Sequence, residues 1–218
     1  MKNFEYVPKT EYGPVREDLE DLIHLVQDEV RDHFTFSYSF IGSASRNMIT
    51  REVNGNTGYD FDVNIRVNDP DENYSAKELR DILREGFNKH SKKFDYDYTE
   101  DSKRVLTIKV KDRKSSKVLH SCDFAIVFDC DDGRQQYVKY NKSQQSYSWD
   151  YQPKGFYQLE ERIDAIKNAN LWQEVRDLYL DKKCQNNDPN KKSRSIFAET
   201  INEIFNYYLG DEQWAKII

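Results

Sequence analysis

No run in this sequence is apolar enough to cross a bilayer, which takes ~20 such residues in a row. The first residues, Met1 to Tyr12, are polar and charged and hold no apolar signal core. Both absences lead to the expectation of a soluble, cytoplasmic chain without a membrane partner. Cysteine is scarce: Cys122, Cys130 and Cys184 form no C-x-x-C and no spacing that matches a zinc site. Three sparse cysteines also exclude a disulfide framework and suit a reducing compartment. Positive charge is in deficit, with 33 Lys and Arg against 39 Asp and Glu and a net charge of −6. Broad, non-specific nucleic-acid binding needs a basic face and is disfavoured. A nucleotide is not excluded, because Mg²⁺ bridges acidic residues to phosphates. Apolar residues are few, at 37%, but 15 Tyr, 12 Phe and 3 Trp supply much of the buried area. The 218 residues contain no repeat and no low-complexity tract, which suits one compact domain or a catalytic domain with a small helical addition.

What is present falls into periodic segments. Leu19, Leu22, Ile23, Val26 and Val30 recur at helical spacing and predict a helix over Val15 to His33. Thr35 to Ile41 is dense in β-formers and predicts a strand ending at Gly42. Ser43 to Thr57 reads as a loop with one helical turn after Ser43. From Tyr59 to Val67 the residues alternate, with Phe61, Val63, Ile65 and Val67 on one face and Asp60, Asp62, Asn64 and Arg66 on the other. Ser75 with Glu78 forms a capping box before a helix. Phe94 to Thr99, Val105 to Lys111, Leu119 to Phe128 and Gln136 to Asn141 read as strands. Beyond Gln158 the pattern is helical, with helices marked by Leu159, Ile163 and Ile166, by Leu171, Val175 and Leu178, and by Ser195 to Leu209. Mixed strands and helices followed by a helical tail make an α+β architecture.

The chemistry concentrates in three places. A strand delivers Gly42-Ser43, whose glycine lets backbone N–H groups approach an anion and whose serine adds a hydroxyl donor. The next strand presents Asp60 and Asp62, which point to one face roughly 7 Å apart by the ~3.3 Å rise per residue. A later strand carries Asp123 in an otherwise neutral run from His120 to Phe128. If that strand lies beside Asp60 and Asp62, three carboxylates converge. They would repel one another, raising at least one pKa, until a hard cation such as Mg²⁺ binds.

Gly42-Ser43, Asp60-x-Asp62 and the later Asp123 resemble the three-part signature of the DNA polymerase-beta nucleotidyltransferase superfamily. That superfamily includes tRNA CCA-adding enzymes, oligoadenylate and cyclic-dinucleotide synthases, aminoglycoside nucleotidyltransferases and minimal nucleotidyltransferases. The motif spans Thr35 to Phe128, and the rest of the chain is similar only in the order of its elements. The resemblance implies a mixed β-sheet core with flanking helices over residues 1–154 and a helical region packed on it over 155–218. It implies that Asp60 and Asp62 ligate two Mg²⁺ ions, with Mn²⁺ an alternative. Asp123 would ligate the catalytic metal and help deprotonate the acceptor hydroxyl, and Gly42 and Ser43 would hold the triphosphate. The implied reaction transfers a nucleoside monophosphate, with ATP among the candidate donors, from a nucleoside triphosphate to an acceptor hydroxyl and releases pyrophosphate. The acceptor is open among a small molecule, an RNA end, a protein side chain and a second nucleotide, and the oligomeric state is open too. The interval from Ser43 to Asp60 is longer than is usual in the superfamily and holds Arg46 and Arg51, both able to reach phosphates.

Plainer readings stand beside these. Asp60 and Asp62 also suit the solvated face of a half-exposed strand, and Asp129 shares the parity of Asp123. Lys192 and Ser193, where the last helix begins, are either phosphate contacts or part of an ordinary loop. Lys109, Lys111, Arg113, Lys114 and Lys117 are either an acceptor patch or a solvated hairpin. Tyr147, Trp149, Tyr151 and Tyr157 suit base stacking or core packing. Two alternatives to turnover are a nucleotide-binding regulatory module on this fold and a toxin or defence enzyme that modifies tRNA. Retention of all three aspartates argues against the first.

Overall fold

The structure is a computed structural model that describes residues 2–69, 71–153 and 158–210. In chain order the elements are β1 (Phe4–Tyr6), α1 (Lys9–Val30), β2 (Thr35–Ile41), the short α2 (Gly42–Ser45), β3 (Thr50–Glu52), β4 (Tyr59–Asn68) and α3 (Ala76–His90). A 3₁₀ turn (Ser91–Phe94) leads to β5 (Glu100–Asp101), β6 (Leu106–Asp112), β7 (Lys117–Asp129), β8 (Gln135–Asn141) and β9 (Ser146–Tyr151). The helices α4 (Leu159–Asn168), α5 (Trp172–Gln185) and α6 (Ser193–Leu209) follow. No helix among the described residues is long and apolar enough to cross a membrane.

The described residues fall into two compact units, one from Val7 to Gln152 and one made of the segment up to Tyr6 together with residues from Pro153 onward. The boundary expected between residues 154 and 155 lies outside the described residues, as does Tyr157.

The larger unit is built on a seven-stranded sheet in which β2, β4, β7, β6 and β5 lie in that order, with β8 pairing β7 and β9 pairing β8. β4 and β7 run parallel, and the other pairs in the sheet are antiparallel. This is the α+β, mixed-sheet class expected from the sequence. The alternation of β4 sends Tyr59, Phe61, Val63 and Ile65 into the core. There they join Leu19, Leu22, Ile23 and Val26 of α1 and Leu79, Leu83 and Phe87 of α3. Phe87 stacks on Phe124 of β7 at 4.2 Å between ring centroids. Each such side chain, fully buried, contributes ~1.5–3 kcal/mol. α3 starts where the capping box requires: Glu78 N–H donates to the Ser75 hydroxyl at 3.3 Å, and Ser75 N–H donates to the Glu78 carboxylate at 2.8 Å. Inside the unit Arg80 is fully buried, paired with Asp101 at 2.6 Å, and donates to the carbonyls of Ser102 and Val105 at 2.7 and 2.8 Å.

Four local expectations are corrected. α1 begins at Lys9 rather than Val15. Pro14 and the charged residues before it hide the first turns, but Tyr12 is buried and its hydroxyl donates to Asn47 at 2.9 Å, tying them down. The segment Phe94 to Thr99 is not a strand. Asp95 takes a left-handed backbone at φ 62°, and Tyr96 is buried while Tyr98 is 64% exposed, so the aromatic alternation marks no common face. The stretch after Ser43 is more than loop, because Met48 and Ile49 are buried and lead into β3. Finally, β9 carries Tyr147 and Trp149, whose alternation with Ser146, Ser148 and Asp150 is a strand pattern. Tyr147 stacks on Tyr140 at 4.6 Å and both Tyr147 and Trp149 pack against the core, whereas Tyr151 is partly exposed beneath Arg134.

In the smaller unit α4 and α5 both pack on α6, around Ile163, Ile166, Val175, Tyr179, Ile196, Phe197 and Ile201. Phe4 N–H donates to the Cys184 sulfur at 3.2 Å, and the Tyr6 hydroxyl donates to the Arg176 carbonyl at 2.7 Å.

Candidate metal centre

The site is a product of strand register. In a strand, residues two apart share a face, so the same alternation that buries Phe61 and Val63 turns Asp60 and Asp62 to the opposite face of the sheet. β7 lies parallel to β4 with Asp62 opposite Asp123 and Asp60 opposite Ser121. Cys122, Phe124 and Ile126 of β7 are buried in the core, which leaves Ser121 and Asp123 on the face of the aspartates. One ligand oxygen from each of Asp60, Asp62 and Asp123 lies within 4.8 Å of the others.

The start of this register is pinned at Gly58. Its φ is +60°, and a β-carbon there would sit 2.1 Å from the Leu119 carbonyl oxygen. Only glycine lets the two backbones approach so closely while adopting a left-handed conformation. Just beyond it, Val118 N–H donates to the Asn56 carbonyl at 2.9 Å.

β2 runs antiparallel to β4 and places Ile41 opposite Asp62, so the Gly42–Ser45 turn opens directly at that carboxylate. Gly42 has φ +64°, and a β-carbon on it would lie 2.6 Å from Asp62 Oδ2. The Ser43 carbonyl accepts from Met48 N–H at 2.9 Å, and the Ser45 hydroxyl donates to the Gly42 carbonyl at 2.9 Å, closing the turn. Arg46 follows immediately, and its positive charge draws the Asp62 pKa down.

The electrostatics of the cluster are those of confined like charges. Burial first, and then repulsion from Asp123 and Asp62, pushes Asp60 up to about 7 from its ordinary 3.8. Burial and Asp123 push Asp62 up to about 6. Asp123 is also raised, by burial, against the opposing effects of a hydrogen bond from Thr107 and the charge of Lys109. Asp60 is the member of the cluster at its solvent rim, and a cation there would offset the like-charge repulsion that adds to burial in raising its pKa. Three carboxylates and no sulfur or imidazole form a hard, all-oxygen donor set, which suits Mg²⁺ or Mn²⁺ and not a soft metal. The residues fit a divalent cation of that class.

Other sequence candidates lie elsewhere. Asp129, at the far end of β7, accepts from Gln135 at 2.6 Å and from Arg66 at 2.7 Å, and those two partners hold its pKa below the usual range. Arg51 pairs with Glu11. In the basic hairpin, Lys109 pairs with Glu100 at 2.5 Å and Lys111 with Asp97 at 3.1 Å, while Arg113 lies 3.5 Å from Asp97, so much of its charge is compensated locally. Lys192 stands at the N-cap position of α6 without a side-chain capping hydrogen bond and Ser193 is the helix's first residue, both in the smaller unit. His120 stacks on Tyr59, and Cys122, Cys130 and Cys184 are free; among the described residues the aspartates alone form a group able to hold a metal. Two residues that the sequence pattern does not single out touch the cluster: the Ser121 hydroxyl donates to Asp60 at 2.7 Å, and the Thr107 hydroxyl donates to Asp123. Ser121 shares the parity of Asp123 and was within reach of that pattern, but Thr107 enters only through the β6–β7 register.

No family model and no curated protein matches the sequence. Solved structures do match. DncV of Vibrio cholerae in its GTP-bound form superposes with a TM-score of 0.55 at 15% identity, covering 90% of this chain and 52% of that one. The same protein, described as a cyclic AMP-GMP synthase and holding a nonhydrolyzable GTP, gives a TM-score of 0.56 at 15% identity over 90% and 52% of the two chains. With the linear intermediate 5′ pppA(3′,5′)pG bound, it gives 0.55 at 14% identity over 90% and 54%. The fold is that of the nucleotidyltransferases. This chain spans about half the length of the DncV structures. The fold is the α+β, mixed-sheet one expected from the sequence, and its sheet is where the three aspartates of this chain meet.

Proposed function

We propose that this chain is a metal-dependent nucleotidyltransferase that moves a nucleoside monophosphate from a nucleoside triphosphate to an acceptor hydroxyl. The observation that carries the reading is the convergence of Asp60, Asp62 and Asp123 on one face of the sheet, beside the Gly42–Ser45 turn. In this reading Asp60 and Asp62 hold divalent cations, and Asp123 helps hold one of them and accepts the acceptor's proton. Bound Mg²⁺, or Mn²⁺, supplies neutralisation of charge at the triphosphate and at the attacking and leaving oxygens. Gly42 and Ser43 offer backbone N–H groups and a hydroxyl to the phosphates, with Arg46 as a further positive contact. The acceptor oxygen bonds to the α-phosphorus, the bond from that phosphorus to the bridging oxygen breaks, and pyrophosphate departs. Catalysis of this kind rests on positioning and charge neutralisation. The first acceptor to try is a second nucleotide, because DncV, which shares the fold, has been captured with a linear dinucleotide intermediate.

The test is a thermal melt with each of the four common nucleoside triphosphates, with and without Mg²⁺, followed by thin-layer separation of products from α-labelled donors. A ligand at ~100 times its Kd stabilises by ~2.7 kcal/mol, which a melt resolves easily. A Mg²⁺-dependent rise and a new labelled product, both absent in Asp60→Asn/Asp62→Asn, are expected. Neither signal with any nucleotide at millimolar concentration would overturn the reading.

A further inference from the structure

We propose that Thr107 and Ser121 are positioning residues for the carboxylate cluster, each hydroxyl holding one oxygen of one aspartate and leaving the other oxygen of that carboxylate for a cation. The inference rests on the proposed function but concerns residues outside its motif. Thr107 stands opposite Asp123 in the β6–β7 register, and Ser121 stands opposite Asp60 in the β4–β7 register. The two hydroxyls therefore approach from neighbouring strands, Thr107 onto Asp123 Oδ1 and Ser121 onto Asp60 Oδ1 at 2.7 Å. A carboxylate that holds a cation is ionised and only accepts hydrogen bonds, so in both contacts the hydroxyl is then the donor. Thr107 is buried and β-branched, which restricts its χ1 and fixes the aim of the donor. Asp62 is confined in another way, by the closeness of Gly42, where a β-carbon would lie 2.6 Å from its Oδ2, and by the charge of Arg46. Every member of the cluster thus has its own restraint. Without restraint, three like charges this close would turn away from each other, and a cation would have to gather them on binding. Groups that orient metal ligands are worth ~10–100-fold in metal affinity.

The competing role is purely structural: a buried hydroxyl needs some acceptor, and Asp123 is merely the nearest. Mn²⁺ titration of the whole 218-residue chain by calorimetry separates the two, using Thr107→Val, which keeps the shape and removes the donor, Thr107→Ser, which keeps the donor, and Ser121→Ala at the less buried position. Thr107→Val and Ser121→Ala are expected to weaken Mn²⁺ by ~10–100-fold, while Thr107→Ser stays within ~3-fold of wild type, with circular dichroism melts establishing that each variant is folded. If turnover is observed, kcat is expected to fall more than KM for the triphosphate rises, since Asp123 acts on the acceptor's proton. Wild-type Mn²⁺ affinity in both Thr107→Val and Ser121→Ala, with binding lost in Asp60→Asn, would overturn the positioning role and leave the metal centre standing. Absence of Mn²⁺ binding in the wild type would overturn both.

Discussion

Replacing Gly42 by alanine perturbs the centre without removing a charged group. The structure assigns this change two separate effects. The first is conformational: at φ +64° an L side chain is strained, which costs ~1–2 kcal/mol. The second is steric: the new methyl would lie 2.6 Å from Asp62 Oδ2, so the carboxylate must retreat by about 0.8 Å to reach the 3.4 Å where ordinary contact begins. For a protein of this size each kcal/mol lowers the melting temperature by ~2–4 °C, so a drop of roughly 2–8 °C is expected. The steric effect appears in function. Misplacing a reacting group by ~1 Å costs on the order of 10²-fold in rate, and a disturbed ligand shell costs ~10-fold or more in metal affinity. Gly133→Ala supplies the control, because Gly133 has φ +77° and nothing within 4 Å of the place its new methyl would take. It shares the backbone strain and lacks the collision. Mn²⁺ titration and thermal melts of both variants should show similar losses of stability but a loss of cation affinity in Gly42→Ala alone. Equal cation affinity in the two variants would refute the claim that Gly42 sets the position of Asp62.

Asp123→Asn should abolish Mn²⁺ binding, whereas Asp129→Asn, which only dissolves the partly exposed contacts to Arg66 and Gln135, should leave it within ~2-fold; calorimetry of the two would expose a mistaken third acid. Asp101→Ala strands the fully buried Arg80 cation without its carboxylate and should lower unfolding stability by ~3–5 kcal/mol in a urea titration; a loss under ~1 kcal/mol would mean that the backbone carbonyls suffice for Arg80. Burial holds His120 down at about 4 from its ordinary 6.5. Folding therefore favours its neutral form, the contribution is complete above pH 6.5 and is lost as pH falls through about 4. His120→Gln should flatten the acid limb of the melting curve over that range, and superimposable limbs would assign the acid sensitivity to other groups.

Much of the fold and the site is legible in the sequence. Period-two alternation locates β2 and β4 to within a residue and puts Asp60 and Asp62 on the solvent side, because burial of Phe61, Val63 and Ile65 leaves the intervening residues no other face. The capping box at Ser75 and Glu78 marks the start of α3. Register is not legible. Whether Asp62 meets Asp123 or Asp129 depends on which residue of β7 faces β4, and parity alone allows both. The Thr107 contact depends on the β6–β7 hairpin in the same way. Local pattern misleads where burial comes from a single side chain, as with Tyr96 beside a left-handed Asp95, and where a proline obscures a helix anchored from a distance, as at Tyr12 and Asn47.

Gly58 gives the long interval between Ser43 and Asp60 a sharp division. Upstream of it, the chain from Glu52 to Gly55 is expected to tolerate gained or lost residues, because its path is re-zeroed where Asn56 accepts from Val118 and Gly58 meets the Leu119 carbonyl. Downstream there is no slack: one residue added between Gly58 and Asp62 would exchange Asp62 for Phe61 at the cluster and send a carboxylate into the aromatic core. Length variation among natural or engineered versions of this chain should therefore pile up on one side of a single glycine and stop at it.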